Sequence, residues 1–300
     1  MNSNLSLKIQ KTSNRTYLRV HDINTALVKA ENTTLENEIK YNFNKDGMYL
    51  DINASVYENL NEKKSSDKYE YILPNIIYGK TFFSEKLGIF DFKSNALINQ
   101  YGTNKQKTFL TNDVIWSPSS YITSKGFVNT LQGMIRNTNY EARKTGEYKD
   151  EDTVHEVSGV LTYKTSLPMK KDGINYSNLF SPNFMVRYAP AHMRNLSGKD
   201  ISLNYTNLYS LNKTSEIEDG LSAVLGIDYK INEKKDGSET EKLSLSIGQV
   251  FNHEENFDMP SKSSLDQKTS DVVGVINYNF SEIGNINYKF SVDRNLNDFN

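Results

Sequence analysis

The sequence predicts an all-β protein, part of a large antiparallel transmembrane β-barrel with about 15 strands. Three observations predict this fold. Apolar and polar residues alternate in many segments, tight-turn sequences separate these segments, and many segments are about 10 residues long. Alternation produces strands with two unlike faces. A tilted strand needs about 9–11 residues to cross a bilayer, whereas strands of soluble proteins average about 5–6.

The alternation is clearest in residues 201–212, 221–232 and 285–293. One face of these segments is apolar or aromatic, and we expect that face to contact lipid. The residues assigned to it are Ile201, Leu203, Tyr205, Leu225, Ile227, Tyr288 and Phe290. The opposite face includes Asp228, Lys230, Lys289 and Asp293, which predicts a polar lumen.

Turn sequences lie between the alternating segments. Residues 44–47 and 234–237 both end in Asp-Gly, which favours a tight hairpin, and residues 281–284 predict another short reversal. The polar stretch 253–269 predicts a long loop. Because outer-membrane barrels combine short periplasmic turns with longer external loops, we expect residues 253–269 outside the cell and 281–284 in the periplasm.

The composition excludes several other classes of protein. The 35 Lys and Arg against 37 Asp and Glu argue against nucleic-acid binding, which usually requires a basic excess. Cysteine is absent, so a disulfide framework and a thiolate metal site are excluded. No apolar run reaches the roughly 18 residues of a membrane-spanning helix. The mean hydropathy of −0.63 is compatible with a wide barrel, because one strand face lines a polar lumen.

No pattern in the sequence predicts catalysis. The four histidines, His21, His155, His192 and His253, form no zinc-binding pair at helical spacing. Neither the nucleophile elbow of hydrolases nor a phosphate-binding P-loop occurs. We therefore predict a protein that is not an enzyme and has no cofactor or metal.

The same alternation also fits a soluble, half-buried antiparallel sheet. Strand length, consecutive hairpins and charged residues within strands favour the membrane barrel. The start lacks a secretory signal and the end interrupts the pattern, so we expect residues 1–300 to be part of one barrel domain that lacks both ends. Pro74 interrupts the long strand predicted for residues 69–82 and suggests a bulge or a weakly paired stretch.

An ordered set of motifs carries a family resemblance. The set comprises YEYILP at 69–74, SPNFMVRYAP at 181–190, MRN at 193–195, LSLSIGQ at 243–249, MPSKSSL at 259–265, KTSDVVG at 268–274 and INYKFSVD at 286–293. In this order the motifs resemble the barrel of the lipopolysaccharide-assembly family LptD, in its alphaproteobacterial form. The motif residues that we expect to have structural roles are Pro74, Gly248, Gln249, Pro260, Ser270, Asp271, Gly274 and Asp293.

The resemblance implies a non-catalytic role in the cell outer membrane, where such proteins insert lipopolysaccharide into the outer leaflet. It implies three partners besides membrane lipids: lipopolysaccharide, an LptE-like plug lipoprotein, and an LptA-like periplasmic bridge that docks on an N-terminal jellyroll. This sequence shows neither the jellyroll nor the last barrel strands. The cysteines that form disulfides in some relatives are also missing.

Three basic residues have lumen parity and are candidate contacts for lipopolysaccharide phosphates: Arg187, Lys230 and Lys289. Pairing with acidic neighbours such as Asp228 and Asp293 is the alternative, because ionisable groups within a membrane usually face cavities and pair. Two other functions stay open. They are a porin-like passive channel of the outer membrane and a soluble β-rich surface or adhesion protein.

Overall fold

The computed structural model describes residues 2–102, 104–145, 153–190, 193–214, 216–235, 237–281 and 284–295. Helix is confined to α1 (Tyr17–Val20), α2 (Ser65–Lys68) and a 3-10 turn at Lys262–Ser264 in these ranges. Within the same ranges, no helix has the length and apolar character that membrane crossing requires. The remaining regular structure is β-strand.

Fifteen strands form one sheet, and neighbours along the chain are neighbours in the sheet. The short strands β7 and β10 lie off this path, β7 beside β8 and β10 beside β11. The predicted all-β fold with about 15 antiparallel strands is confirmed. The strands are β1 (Asn2–Lys8), β2 (Thr34–Lys45), β3 (Met48–Asn59), β4 (Tyr69–Ser84), β5 (Gly88–Tyr101), β6 (Lys105–Ser117), β7 (Tyr121–Ile122), β8 (Val128–Arg143), β9 (Val154–Ser166), β10 (Met169–Asp172), β11 (Tyr176–Ala189), β12 (Gly220–Lys235), β13 (Ser238–Asn252), β14 (Val272–Ser281) and β15 (Gly284–Val292).

The predicted tight hairpins are present. Lys45 pairs with Met48, and Asp46 and Gly47 between them both have positive φ, at 49° and 72°. Positive φ at both central residues matches the right-handed twist of the flanking strands, which is why Asp-Gly is favoured there. Two further hairpins close at the expected positions, where β12 meets β13 and β14 meets β15. Residues 236, 282 and 283 lie outside the described ranges.

Pro74 lies at a bulge, as its sequence position suggested. The register between β3 and β4 shifts between Asn53 and Ser55, opposite Pro74. The shift changes which residues share a face. Tyr71 lies opposite Val56, whereas Ile76 lies opposite Ile52, so the apolar face moves from odd to even residues of β4. One extra residue in a strand has this effect because side chains alternate with a period of two.

The chain forms two compact units. The first unit comprises Met1–Ser84, Ile89–Val114 and Arg136–Val157. Its buried cluster contains Leu18 of α1 with Leu35 and Leu60. Polar side chains pair across its strands, for example where Arg136 donates two hydrogen bonds to Asp113, at 2.7 and 2.9 Å.

The second unit comprises Glu85–Gly88, Ile115–Ile135 and Ser158–Asn300. One face of its sheet is apolar and exposed, with Leu225 at 51%, Ile227 at 40% and Tyr288 at 54%. Large apolar side chains exposed in a row are the expected pattern where lipid replaces water as the solvent. We call this side the apolar face, and we call the opposite side, which carries Asp228 and Ser246, the polar face.

One strand prediction is wrong. Residues 201–212 alternate most regularly in the sequence, yet they form turns and irregular backbone between β11 and β12. Leu203 is only 3% exposed, and the Tyr205 hydroxyl bonds to Asp228, so neither side chain faces lipid. The sequence alternates because one side of this segment packs against the sheet. Packing against the sheet selects apolar residues at intervals, as contact with lipid does.

The two faces lead to a stability prediction. We expect Leu225→Arg to destabilise the protein by about 2–4 kcal/mol, because it places a charge in the lipid near the middle of β12. The matched control is Asn232→Arg on the polar face of the same strand, which should cost much less. Unfolding titrations of the full-length protein in phospholipid vesicles measure both changes. Equal costs would contradict the assignment of the faces.

Candidate functional site

The long connection between β11 and β12 packs on the polar face of the second unit. We call its described stretch 201–214 the cover segment. Leu203 and Leu208 of this segment are buried against three valines of the strands below, Val224, Val250 and Val273. These valines form, with Met185, an apolar patch on this face. Burial of this apolar surface holds the segment in place.

Two glycines create the space for the segment. Gly226 and Gly248 are directly opposite each other on β12 and β13. A Cβ at Gly226 would lie 2.1 Å from the Tyr209 hydroxyl, and one at Gly248 would lie 2.5 Å from Leu208 Cδ2. Glycine within a strand often marks such a close approach of another chain segment. The motif residue Gly248 therefore has a packing role.

Asp228 organises the polar contacts beneath the segment. Its carboxylate accepts hydrogen bonds from the hydroxyls of Tyr205 and Ser246 and from Asn183 Nδ2, the last at 2.8 Å. Burial, together with the hydrogen bond to Asp228, raises the pKa of the Tyr205 phenol. The hydroxyl therefore remains a proton donor, and it ties the cover segment to β12.

Arg187 of β11 joins the sheet to the end of the cover segment. It is 2% exposed. Its guanidinium donates to the Leu211 carbonyl, to Asn212 Oδ1 at 2.8 Å and to the Glu218 carbonyl at 2.6 Å. All three acceptors are neutral oxygens of the connection. In this structure Arg187 lies beneath the segment and is not open to a lumen.

A buried ion pair lies within the same connection. Lys213 Nζ is 3.6 Å from Glu218 Oε2, and both side chains are at most 5% exposed. Glu218 also accepts hydrogen bonds from the backbone N–H groups of Lys213 and Thr214. Burial lowers the pKa of Lys213, and the Glu218 carboxylate opposes that shift. Two ions removed from water cost more to desolvate than a surface pair does.

Lys164 of β9 lies beneath the cover segment, next to Tyr209. Its ammonium is 4.2 Å from the centroid of the Tyr209 ring, an arrangement that attracts a cation to the ring face. Lys164 lies opposite Met185, and Thr162 lies opposite Arg187, so the two cations belong to the same face of adjacent strands. The cover segment therefore lies over two basic residues of the sheet.

The loop between β13 and β14 also folds inward. Met259, Pro260 and Leu265 are buried, although the sequence suggested a polar loop. The Leu196 N–H donates to the Asp258 carbonyl at 2.7 Å, and the Leu203 N–H donates to Ser263 Oγ at 3.1 Å. The two long connections thus support each other.

The Ser270-Asp271 motif anchors this second loop. The Val250 N–H donates to Ser270 Oγ at 3.0 Å, and Gln249 Nε2 donates to the Ser270 carbonyl at 2.8 Å. Asp271 accepts from Ser264 Oγ at 2.8 Å and from the Arg294 N–H at 3.3 Å. The motif therefore connects the loop, β13 and the chain after β15.

The remaining predicted residues have separate positions. Gly274 lies under the Phe290 ring on the apolar face, where a Cβ would be 2.4 Å from Phe290 Cζ. Asp293 accepts from the Asn295 N–H at 3.1 Å. Lys230 pairs with Glu241 at 2.9 Å, so its partner is not the nearby Asp228. Lys289 is exposed on the polar-face side of β15.

Residues 2–300 match the profile of the family described as LptD, LPS transport system D. The chain belongs to the LptD family. No curated protein matches it. As a member of this family, the chain is part of an outer-membrane β-barrel that transports lipopolysaccharide. The role of the family is non-enzymatic. Within the described residues of this LptD-family chain, no cluster of three or more acidic or histidine side chains could hold a metal.

Sequence reasoning missed Lys164, Tyr209 and the Lys213–Glu218 pair, because each depends on the inward fold of residues 193–214 and 216–219. One signal was available. Glycines at 226 and 248 interrupt two otherwise strong strands, and such interruptions indicate a close approach.

The motif contacts predict a stability effect for Ser270→Ala. Ser270 is fully buried, and the change leaves the Val250 N–H without its partner, so we expect a cost of about 1–3 kcal/mol. Ser261→Ala is the matched control in the same loop, since that side chain is exposed. Denaturant midpoints of the full-length protein in detergent measure both. An effect no larger than that of the control would contradict the anchoring role.

Proposed function

We propose that the chain is the barrel segment of a translocon that inserts lipopolysaccharide into the outer leaflet. The observation that carries this proposal is the two-faced sheet of the second unit. One face has exposed apolar side chains, and the other has a charged and hydrogen-bonded surface covered by its own connections. The family match supports the same function.

The two faces suit the chemistry of the substrate. Lipopolysaccharide has a phosphorylated sugar head and several acyl chains, so its movement needs a polar path and an apolar exit. Asp228, Lys230 and Lys289 supply polar groups on one side, while Leu225 and Tyr288 supply the lipid-facing side. No bond is made or broken in this transfer. The protein contributes a route across the membrane.

The partners follow from the same proposal. An LptE-like lipoprotein would plug the barrel, and an LptA-like bridge would deliver lipopolysaccharide through an upstream jellyroll domain. We also propose that further strands adjoin β1 and β15. Among the described residues, β1 and β15 lie at the two ends of the strand order, and an unpaired strand edge favours pairing with another strand.

Depletion of the full-length protein in cells tests the function. Newly made lipopolysaccharide should stop reaching the cell surface, and a plasmid copy should restore it. Surface-accessible lipopolysaccharide after a metabolic pulse is the measurement. If surface lipopolysaccharide is unchanged while uptake of small solutes falls, the protein is a passive channel and the proposal is wrong.

Photo-crosslinking tests the route. A photoreactive residue at Lys289 should capture pulse-labelled lipopolysaccharide transiently, and the signal should decay during a chase. The same residue at the neighbouring Tyr288, on the apolar face, should instead contact lipopolysaccharide already resident in the leaflet and show no decay. Identical time courses at the two positions would exclude the polar face as the path.

A further inference from the structure

We propose that the cover segment is a displaceable cover over a phosphate-binding strip formed by Lys164 and Arg187. When the segment moves, the strip would bind the phosphorylated head of lipopolysaccharide. This inference rests on the proposed transport function. It adds a specific binding site and the element that blocks it.

The two cations are placed for one anionic group. Lys164 lies on β9 two residues from Thr162, which is directly opposite Arg187 on β11. Diagonal neighbours of this kind are about 7–8 Å apart at the backbone, and long side chains can reach across that distance. Asp228 interacts with Lys164, and Glu218 and Asp219 of the connection interact with Arg187. A displacement that carries Glu218 away together with Lys213 would leave Arg187 with less negative charge beside it, and a phosphate can supply that charge.

The acceptors around Arg187 resemble those of a phosphate. The guanidinium donates to three oxygens, from the Leu211 carbonyl, the Asn212 amide and the Glu218 carbonyl. A guanidinium fork matches phosphate oxygens closely, and a phosphate adds the charge of the acceptor to that of the donor in each bond. The cover thus supplies neutral oxygens at positions where a phosphate could bind more strongly.

Lys164 is half-buried, and the cover segment contacts it through one aromatic ring. The Tyr209 ring lies over its ammonium at 4.2 Å. A ring face attracts a cation less strongly than a phosphate in direct contact does. Displacement of the segment would therefore free both cations together, and a phosphate could replace the oxygens at Arg187 and the ring at Lys164.

The segment also has features of an element that can move. Residues 201–214 form neither helix nor strand. The Tyr209 hydroxyl is buried and has no hydrogen-bond partner among the described residues, and the Lys213–Glu218 pair is nearly dehydrated. Both groups would gain water on displacement, which offsets the loss of apolar burial. Few regular backbone bonds and costly buried polar groups characterise regions that open locally.

Two adjacent tyrosines provide a matched test. Tyr205→Phe removes the hydrogen bond to Asp228, whereas Tyr209→Phe removes a hydroxyl without a partner. The reporter is Val224→Cys, which lies fully buried beneath Leu203 and Leu208 in a chain that has no cysteine. The rate at which a water-soluble maleimide labels this cysteine measures opening of the segment in the full-length protein in detergent.

We expect Tyr205→Phe to accelerate labelling about tenfold, which corresponds to about 1.4 kcal/mol. Tyr209→Phe should leave the rate unchanged or lower it. A Ser55→Cys reporter, buried in the other unit, should stay slow in both variants and so excludes general unfolding. Equal labelling of Val224→Cys in the two tyrosine variants would overturn the idea of a displaceable cover.

The effect of ligand on labelling tests the strip itself. With both tyrosines unchanged, lipopolysaccharide should accelerate labelling of Val224→Cys, because a ligand that binds only the displaced state increases the population of that state, whereas dephosphorylated lipopolysaccharide should not. Lys164→Met should abolish the acceleration. Equal acceleration by both lipids, or by neither, would overturn the phosphate site. The depletion experiment is independent of these variants, so loss of surface lipopolysaccharide there with no acceleration here would reject the strip and retain the transport function.

Discussion

Backbone hydrogen bonding is the constraint on which the rest of this structure depends. In a lipid environment every N–H and C=O needs a partner within the protein, and adjacent antiparallel strands provide one for each group. Strands that are consecutive in the chain are neighbours in the sheet, so short hairpins such as the Asp46-Gly47 turn are enough to join them. The alternation of side chains then follows, because a pleated strand must present one face to lipid and the other to the interior.

The interior face has a different requirement, since polar groups there need partners or water. In the second unit the chain meets this requirement with its own connections. Asp228 receives a hydroxyl from the cover segment, and Arg187 donates to three oxygens of the same connection. Glycines at 226 and 248 allow the segment to approach closely. Asp228 and Arg187 therefore both have hydrogen-bond partners within the chain.

This arrangement connects stability with transport. An interior that binds a charged head must hold charges, yet charges without partners are costly to bury. The oxygens that Arg187 contacts in the connection are uncharged, and a phosphate, which brings a negative charge of its own, can compete with them. The anchoring motif at Ser270 and Asp271 holds the neighbouring loop to β13 and to the chain after β15. The anchored loop between β13 and β14 and the more easily displaced cover segment can thus be neighbours in one structure.

The sequence alone determined the all-β class, the approximate number of strands and the tight hairpins, and it indicated a bulge or a weakly paired stretch at Pro74. These features depend on local chemistry, namely a side-chain period of two, positive φ at Asp-Gly and the missing N–H of proline. Only the tertiary structure decided that residues 201–212 are a covering segment and that Arg187 lies beneath it. An alternating pattern reports contact with an apolar surface on one side, and that surface can be lipid or another part of the same sheet.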